Sequence, residues 1–202
     1  MEIKQDLFAN KSKNWDTNSM RVKNAKEIAD IILKNIQMNK NMILADFGAG
    51  TGLLTYFIAP YVKKIVAIDN SRSMLDEFIA KQDEFACETE VIHGDIMNCN
   101  EDIKYDGIVS SMTMHHVENT KELFLKLFNM INIGGFVAIA DLDIEDGSFH
   151  SDNEGVFHFG FDREVLKGIA KEVGFSDIRF ETANVIEKPH CQFSVFAMTA
   201  RK

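Results

Sequence analysis

Two hydrophobic periods alternate along the chain. Short apolar runs rich in β-branched residues have the spacing of strands, and the longer segments between them have the three-to-four-residue spacing of helices. The predicted strands lie near 42–47, 63–68, 90–93, 107–111 and 136–141. The predicted helices between them lie near 52–60, 71–85 and 120–131. This alternation predicts βαβ units around a mostly parallel sheet.

An amphipathic segment precedes the first predicted strand. Within 19–36, one helical face carries the apolar side chains Val22, Ala25, Ile28, Ala29, Ile32 and Ile36. A helix that packs on the sheet is therefore predicted upstream of it. We expect a single domain over 1–202, with 1–38 as its N-terminal segment.

A helix and two further strands are predicted after the fifth strand. The segment 161–175 has helical spacing and ends at Gly174, a residue that favours the end of a helix. The segments 176–186 and 190–202 alternate as strands do. We expect these two strands to pair antiparallel at the edge of the sheet.

Composition narrows the function classes. The 202 residues are 46% hydrophobic and 26% charged, which is typical of a globular domain. The net charge of −9 and the absence of a dense basic patch argue against nucleic acid and favour a small-molecule partner. No apolar run approaches the roughly 20 residues of a membrane span, and the N-terminus lacks a secretory signal pattern, so we expect a cytoplasmic protein. The three cysteines have no CxxC spacing and predict unpaired thiols. No segment indicates an oligomeric state.

A glycine-rich turn follows the first predicted strand. In the stretch ADFGAGTG, the strand ends near Asp46 and glycines follow at alternate positions, Gly48, Gly50 and Gly52. Such a turn lets a ligand lie against the backbone. The dinucleotide fingerprint GxGxxG would need a third glycine where Leu53 stands. Because a carboxylate repels a pyrophosphate and attracts an ammonium or sulfonium group, Asp46 favours a cationic ligand. A turn without any ligand is the alternative.

Two further carboxylates follow the next predicted strands. Asp69 ends the second strand roughly 20 residues after the glycines, a position from which a carboxylate accepts ribose hydroxyls. The same side chain could cap the helix that starts near Ser71, and the two roles can coexist. Asp95 follows the third strand and could accept a hydrogen bond from an exocyclic amine such as that of adenine. The set predicts a nucleoside ligand.

Five stretches taken together resemble the ordered motifs of a known family. They are ADFGAGTG, VAIDNSRSML, HGDIMN, YDGIVSSMTMHHVEN and LFNMINIGGFVAIADLD, and they span about 15–143. They are similar to class I S-adenosylmethionine-dependent methyltransferases, especially the small-molecule group that includes the quinone-biosynthesis enzymes. The resemblance implies a Rossmann-like α/β fold with a seven-stranded sheet of order 3-2-1-4-5-7-6, the last strand antiparallel and helices on both faces. It also implies methyl transfer from S-adenosylmethionine to a small or medium-sized acceptor, with S-adenosylhomocysteine as product.

The resemblance assigns cofactor contacts to matching positions. Gly48, Gly50 and Gly52 would line the methionine and ribose portions, and Asp46 would lie near the amino group. The remaining assignments are Asp69 for the ribose hydroxyls, Asn70 and Met74 beside the adenine, Asp95 for the adenine amine, the backbone of Ile96 for an adenine ring nitrogen, and Ser111 and Met112 at the methionine end.

The only tryptophan precedes the first helix. Similar family members use this segment as a lid, which implies that Trp15 covers the cofactor and that Arg21 or Asp16 pins the lid. A plain packing role for Trp15 is the alternative.

Four histidines are candidates for catalysis. Methyl transfer from a sulfonium needs a base only when the acceptor must lose a proton, and histidine suits that task. The candidates are His115, His116, His150 and His158. The pair in TMHHVEN resembles a common family feature that often serves packing. The other two lie in a loop after the fifth strand that could cap the substrate pocket.

The same loop offers ligand atom types for a metal ion. His150, Asp152, Glu154 and His158 could supply nitrogen and oxygen ligands. Methyl transfer usually needs no metal and a solvated acidic loop is commoner, so we expect none.

Two rival functions remain open. The chain could be a noncatalytic S-adenosylmethionine-binding module that supports a partner. An NAD-dependent oxidoreductase is disfavoured by the GxGxG spacing and by Asp46. The fourth strand also ends without the Asn/Asp-Pro-Pro-Tyr/Phe pattern of enzymes that methylate nucleic-acid amines.

Overall fold

The computed structural model describes residues 6–189 and 191–202. Residues 1–5 of the N-terminal segment and residue 190 of the last predicted strand lie outside the described residues. Seven strands form one sheet of order β3-β2-β1-β4-β5-β7-β6. They are β1 Ile43–Phe47, β2 Lys64–Asp69, β3 Glu88–His93, β4 Tyr105–Ser111, β5 Ile131–Leu142, β6 Ser176–Lys188 and β7 Cys191–Arg201.

Strand directions match the predicted fold class. Strands β1 to β5 pair in parallel, whereas β7 is antiparallel to both β5 and β6. The predicted strand order and the predicted edge hairpin are confirmed.

Within the described part of the chain, five α-helices accompany the sheet, and side-chain caps begin four of them. They are α1 Ser19–Asn35, α2 Leu53–Ile58, α3 Arg72–Ala80, α4 Thr120–Met130 and α5 Arg163–Val173. The side chains of Asn18, Ser71, Asn119 and Asp162 accept hydrogen bonds from first-turn backbone amides. Helix α5 ends at Gly174, which has a φ of 118° and the left-handed conformation expected of it.

Two predicted boundaries are wrong by five residues, and a third differs by two. Helix α3 ends at Ala80 rather than near 85, because a 3₁₀ turn follows and lets Phe85 fold back onto Phe78 with ring centroids 4.7 Å apart. Helix α2 ends at Ile58 and continues as a second 3₁₀ turn. Strand β5 begins five residues earlier than predicted, since Ile131 already pairs with β4 ahead of a bulge.

The core lies on both faces of the sheet. Helices α1 and α2 cover one face, and α4 and α5 cover the other. On α1 the predicted face is buried at Ala25, Ile28, Ala29, Ile32 and Ile36, whereas Val22 is half-buried. The carboxyl ends of the parallel strands meet at one edge of the sheet, where ligands bind in open α/β folds.

Two negative expectations concern the described residues. Among 6–189 and 191–202, no helix combines the length and the apolar character needed to cross a bilayer. The thiols of Cys87, Cys99 and Cys191 are free, as the sequence predicted.

Candidate active site

The glycine turn connects β1 to α2 at the carboxyl edge of the sheet. Gly48, Gly50 and Gly52 have φ values of 68°, 55° and 87°, a region that favours glycine. A Cβ on Gly48 would lie 2.2 Å from the Thr113 side chain, and one on Gly52 would lie 2.7 Å from the Phe78 ring. These two glycines are therefore required by the close packing of the protein itself.

Gly50 differs from its two neighbours. A Cβ there would meet only the Met74 methyl group, at 3.1 Å. Met74 is buried at the start of α3. The space in front of Gly50 is thus bordered by one flexible side chain, and this is the part of the turn where a ligand can approach the backbone.

Asp46 lies beneath the turn. Its side chain is 1% exposed, and the Thr55 hydroxyl donates a 2.6 Å hydrogen bond to its Oδ2. Burial raises the pKa of Asp46 from 3.8 to about 7, and the nearby Asp69 adds to this rise. A cation placed beside this carboxyl would favour its charged form.

Asp69 joins the glycine turn to α3. Its Oδ2 accepts a 2.7 Å hydrogen bond from the Gly50 amide, and its Oδ1 accepts a 2.8 Å bond from the Ser71 amide. Ser71, rather than Asp69, caps α3. Burial raises the pKa of Asp69, and the two backbone bonds oppose that effect. Each carboxylate oxygen can accept a second hydrogen bond, so a vicinal diol fits this side chain.

The third carboxylate follows β3. Asp95 is half-buried, and its Oδ1 accepts from the Met97 amide at 2.9 Å, which caps a short 3₁₀ turn. Ile96 within that turn is buried. Asn70 is exposed, and its carbonyl oxygen lies 3.2 Å from His93 Nε2. The structure thus places Asp95 and Asn70 at the same sheet edge as Asp69.

The chain leaves β4 in an unusual conformation. Met112 has a φ of 55°, which is rare for a residue with a Cβ, and its amide donates to the Ala140 carbonyl at 2.8 Å. Ser111 and Met112 are both half-buried and precede Thr113, whose side chain packs against Gly48 of the glycine turn. Such strained residues concentrate at functional sites. The left-handed backbone at Met112 carries no sequence signal.

The N-terminal segment contacts the glycine turn through Asp16. The Arg21 guanidinium lies 3.8 Å over the Trp15 ring. Asp16 accepts a 2.6 Å hydrogen bond from the Thr51 hydroxyl and forms an ion pair with Lys81. Asp16 thus ties the segment to the glycine turn and to α3, and Arg21 stacks on Trp15.

Asp6 makes a second attachment of this segment, which sequence reasoning missed. Its Oδ1 accepts from the Ser71 hydroxyl at 2.8 Å, and its Oδ2 accepts from the Ser73 amide at 3.0 Å. The segment 6–18 is thus anchored at the start of α3, beside Asp69. Because the partners are 65 residues apart in the sequence, no local pattern could have revealed the contact.

Three of the four candidate histidines lie together. His115 is 1% exposed, and its Nδ1 lies 2.7 Å from Oδ1 of the buried Asp141. The Nδ1 of His116 lies 2.7 Å from the Gly155 carbonyl oxygen. The ring centroid of His115 lies 4.2 Å from that of His116 and 4.9 Å from that of His150. Sequence reasoning missed Asp141, which is the residue that orients His115.

The fourth histidine has a different role. His158 Nε2 lies 3.0 Å from the Val117 carbonyl oxygen and 3.1 Å from that of Glu118, and its ring lies against Phe161. These contacts tie the loop after β5 to the segment after β4. The structure therefore separates His158 from the other three candidates and gives it a loop-fixing position.

Electrostatics keep two of the clustered imidazoles neutral. Burial lowers the pKa of His116, and the neighbouring His115 lowers it further. Burial likewise lowers the pKa of His150 to about 4, with smaller contributions from His115, His116 and Lys188. At neutral pH, each of these two rings therefore keeps a free lone pair that can bind a cation.

The loop 143–162 is closed at its base. Asp143 pairs with Phe161 through a parallel bridge and receives two 2.6 Å hydrogen bonds from the Arg163 guanidinium. Asp152 and Glu154 lie exposed, bonded to each other through the Glu154 amide. The metal-ligand set considered within this loop is therefore not assembled.

Comparisons with known proteins agree with this arrangement. The model of the methyltransferase domain family matches residues 44–135. An uncharacterized methyltransferase of Schizosaccharomyces pombe is 31% identical over 163 residues, which cover 72% of this chain and 57% of that protein. One of Mycobacterium tuberculosis is 27% identical over 110 residues, covering 52% of this chain and 54% of the relative. The chain thus spans about half the length of both relatives.

Solved structures share the fold. The complex of DhpI with S-adenosylhomocysteine has a TM-score of 0.74 at 16% identity, covering 96% of this chain and 92% of that one. Haemonchus contortus phosphoethanolamine N-methyltransferase 2, in complex with S-adenosylmethionine, has a TM-score of 0.71 at 16% identity, covering 96% and 59%. The family and its cofactor, S-adenosylmethionine, are those that the sequence predicted. The family match, the methyltransferase relatives and the shared fold support the class I S-adenosylmethionine-dependent methyltransferases that the sequence resembles.

Proposed function

We propose that this chain binds S-adenosylmethionine at the carboxyl edge of β1, β2 and β3 and transfers its methyl group to a small or medium-sized acceptor in the cytoplasm. The observation that carries the proposal is the link between Asp69 and the Gly50 amide at 2.7 Å. This hydrogen bond places a carboxylate that can accept further hydrogen bonds beside Gly50, the glycine of the turn with the most open face. A nucleoside with a ribose diol suits that pairing.

The residues present fit this cofactor. Asp69 would accept the two ribose hydroxyls, the second oxygen of Asp95 would accept the adenine amine, and Met74 would lie beside the adenine. Burial raises the pKa of Asp46 to about 7, so part of this carboxyl is protonated at neutral pH and would ionise when an ammonium group approaches. These roles are the ones that the sequence resemblance implied.

When bound, the cofactor supplies a carbon that is already activated for displacement by its sulfonium. The chain's own contribution is then to hold the acceptor aligned and dry. The segment 6–18 covers the turn and excludes water on one side. His116, whose ring keeps a free lone pair while no cation is bound to it, can take a proton from an acceptor that must lose one, whereas the pKa of about 4 makes His150 a weak base at neutral pH. Trp15 forms part of the covering segment.

The proposal is tested by measuring catalytic turnover. S-adenosylhomocysteine formation is followed by chromatography over a panel of small oxygen, nitrogen, carbon and sulfur acceptors, with an oligonucleotide as a negative control. We expect product with at least one small acceptor and none with the oligonucleotide. The variant Asp69→Ala should lose turnover, and the exposed cap variant Asp162→Asn should keep it.

The outcomes separate the candidate functions. Tight binding of S-adenosylmethionine without turnover on any acceptor would favour the noncatalytic module that supports a partner. Nicotinamide-cofactor binding without S-adenosylmethionine binding would overturn the proposal altogether.

A further inference from the structure

Three imidazoles converge from two separate loops. His115 and His116 lie in the 3₁₀ turn that follows β4, and His150 lies in the loop 143–162 after β5. One ring nitrogen from each lies within 4.8 Å of the other two. Histidine nitrogens brought this close together from two separate loops could act as ligands of one metal ion.

Hydrogen bonds indicate which ring nitrogens of His115 and His116 are free to bind a ligand. The Nδ1 of His115 lies 2.7 Å from Oδ1 of Asp141, and an ionised carboxylate only accepts, so this nitrogen carries the proton. The Nδ1 of His116 lies 2.7 Å from the Gly155 carbonyl oxygen, which also only accepts. When these rings are neutral, the Nε2 atoms of both therefore carry lone pairs. Metal-bound histidines are held in this way by an outer carboxylate or carbonyl.

Two nitrogens of the cluster are buried without a partner. Among the described residues, His115 Nε2 and His150 Nδ1 have no hydrogen-bond partner. A buried polar atom without a partner is unfavourable, and such atoms are rare in native proteins. A cation bound between the rings would satisfy both atoms at once.

We propose that His115, His116 and His150 form a binding site for a divalent transition metal ion, and that Zn²⁺ is the ion it fits best. Imidazole ligands suit Zn²⁺, and three histidines leave a fourth position for water or a ligand atom. Asp141 is the positioning residue that orients His115.

The geometry requires only a small adjustment. A tetrahedral ion with nitrogen ligands at about 2.0–2.1 Å places those nitrogens roughly 3.3 Å apart. The present upper limit of 4.8 Å would contract by roughly 1.5 Å. His150 can supply most of this movement, because it is half-buried in a loop, whereas His115 is enclosed by the sheet edge.

The first test measures metal alone. The full chain is freed of metal with a chelator and titrated calorimetrically with ZnCl₂. We expect one equivalent to bind in the wild type, and roughly 100-fold or more weaker binding in His116→Ala and in His150→Ala, since loss of an outer partner alone usually costs 10- to 100-fold. The exposed His93→Ala serves as the matched control and should bind like the wild type.

A second measurement guards against misfolding. Circular dichroism checks each variant, and Co²⁺ replaces Zn²⁺ so that its visible absorption reports ligand number. Wild type and His93→Ala should show the intense bands of a four-coordinate ion, and His150→Ala should not. Zn²⁺ binding that is equally strong in the double variant His116→Ala/His150→Ala, or absent in folded wild type, would overturn the proposal. Neither readout depends on methyl transfer, so the two proposals fail separately.

Discussion

Asp46 makes a prediction about stability and pH that follows directly from its burial. The side chain is 1% exposed, and its pKa rises from 3.8 to about 7, mainly through burial. The perturbation is Asp46→Asn, which keeps the shape and leaves an oxygen to accept the hydroxyl of Thr55. It removes the ionisable group and replaces one acceptor oxygen by an N–H₂ donor, and the cost of that replacement does not vary with pH.

The sign follows from proton binding. Between about pH 4 and pH 7 the folded protein holds a proton on Asp46 that the unfolded chain has lost, so stability falls as pH rises across this window. A pKa difference of about 3 units corresponds to about 4 kcal/mol at 1.36 kcal/mol per unit. The stability of Asp46→Asn relative to the wild type should therefore rise by up to about 4 kcal/mol between pH 4 and pH 8.

The assay is urea unfolding of the cofactor-free protein at pH 4, 5, 6, 7 and 8. Asp162→Asn changes the net charge equally at an exposed helix cap, where Asn caps as well as Asp, and is the matched control. We expect the stability difference between Asp46→Asn and wild type to grow with pH. A constant difference across the whole range would refute the assignment of a buried, proton-binding carboxyl.

Three further predictions concern packing and the covering segment. Gly52→Ala should destabilise the protein by about 2–5 kcal/mol in urea unfolding, because Gly52 has a left-handed backbone and its Cβ would meet the Phe78 ring. At the control position Gly94, a Cβ would meet nothing within 4 Å, so Gly94→Ala should change stability by under about 0.5 kcal/mol. Equal effects of the two substitutions would contradict this account. Asp16→Ala should release the covering segment, seen as faster proteolysis near Trp15 and a red-shifted emission, and unchanged cleavage would argue against the anchoring role. Gly160→Ala would place a Cβ 2.0 Å from the Asp143 carbonyl oxygen, so the substitution should displace the loop after β5. Zn²⁺ binding measured by calorimetry should then be at least about tenfold weaker. Zn²⁺ affinity equal to that of the wild type would contradict the dependence of the metal site on loop position.

The fold could be predicted from the sequence because its signals are local. Runs of β-branched residues mark the parallel strands, and the amphipathic spacing of 19–36 marks α1. The boundaries that failed depend on tertiary contacts. Helix α3 stops at Ala80 because Phe85 returns to Phe78, a contact that helical periodicity does not encode.

The candidate site shows the same division. Asp69 and Asp95 could be found because each follows a strand, and the carboxyl ends of parallel strands share one edge. The partners that organise the site could not be found. Asp141 lies 26 residues from His115, and Asp6 lies 65 residues from Ser71, so only the folded chain brings them together.

The central claim is that Asp69 and the glycine turn hold S-adenosylmethionine, and calorimetric titration of the folded wild type beside Asp69→Ala tests it most directly. Two hydrogen bonds to a charged group contribute roughly 3–6 kcal/mol, which corresponds to at least about a hundredfold in affinity. We expect one equivalent of S-adenosylmethionine and of S-adenosylhomocysteine to bind the wild type, with a loss of at least about a hundredfold in the variant. Equal affinity in both proteins, or binding of NAD in place of the sulfur nucleosides, would contradict the account.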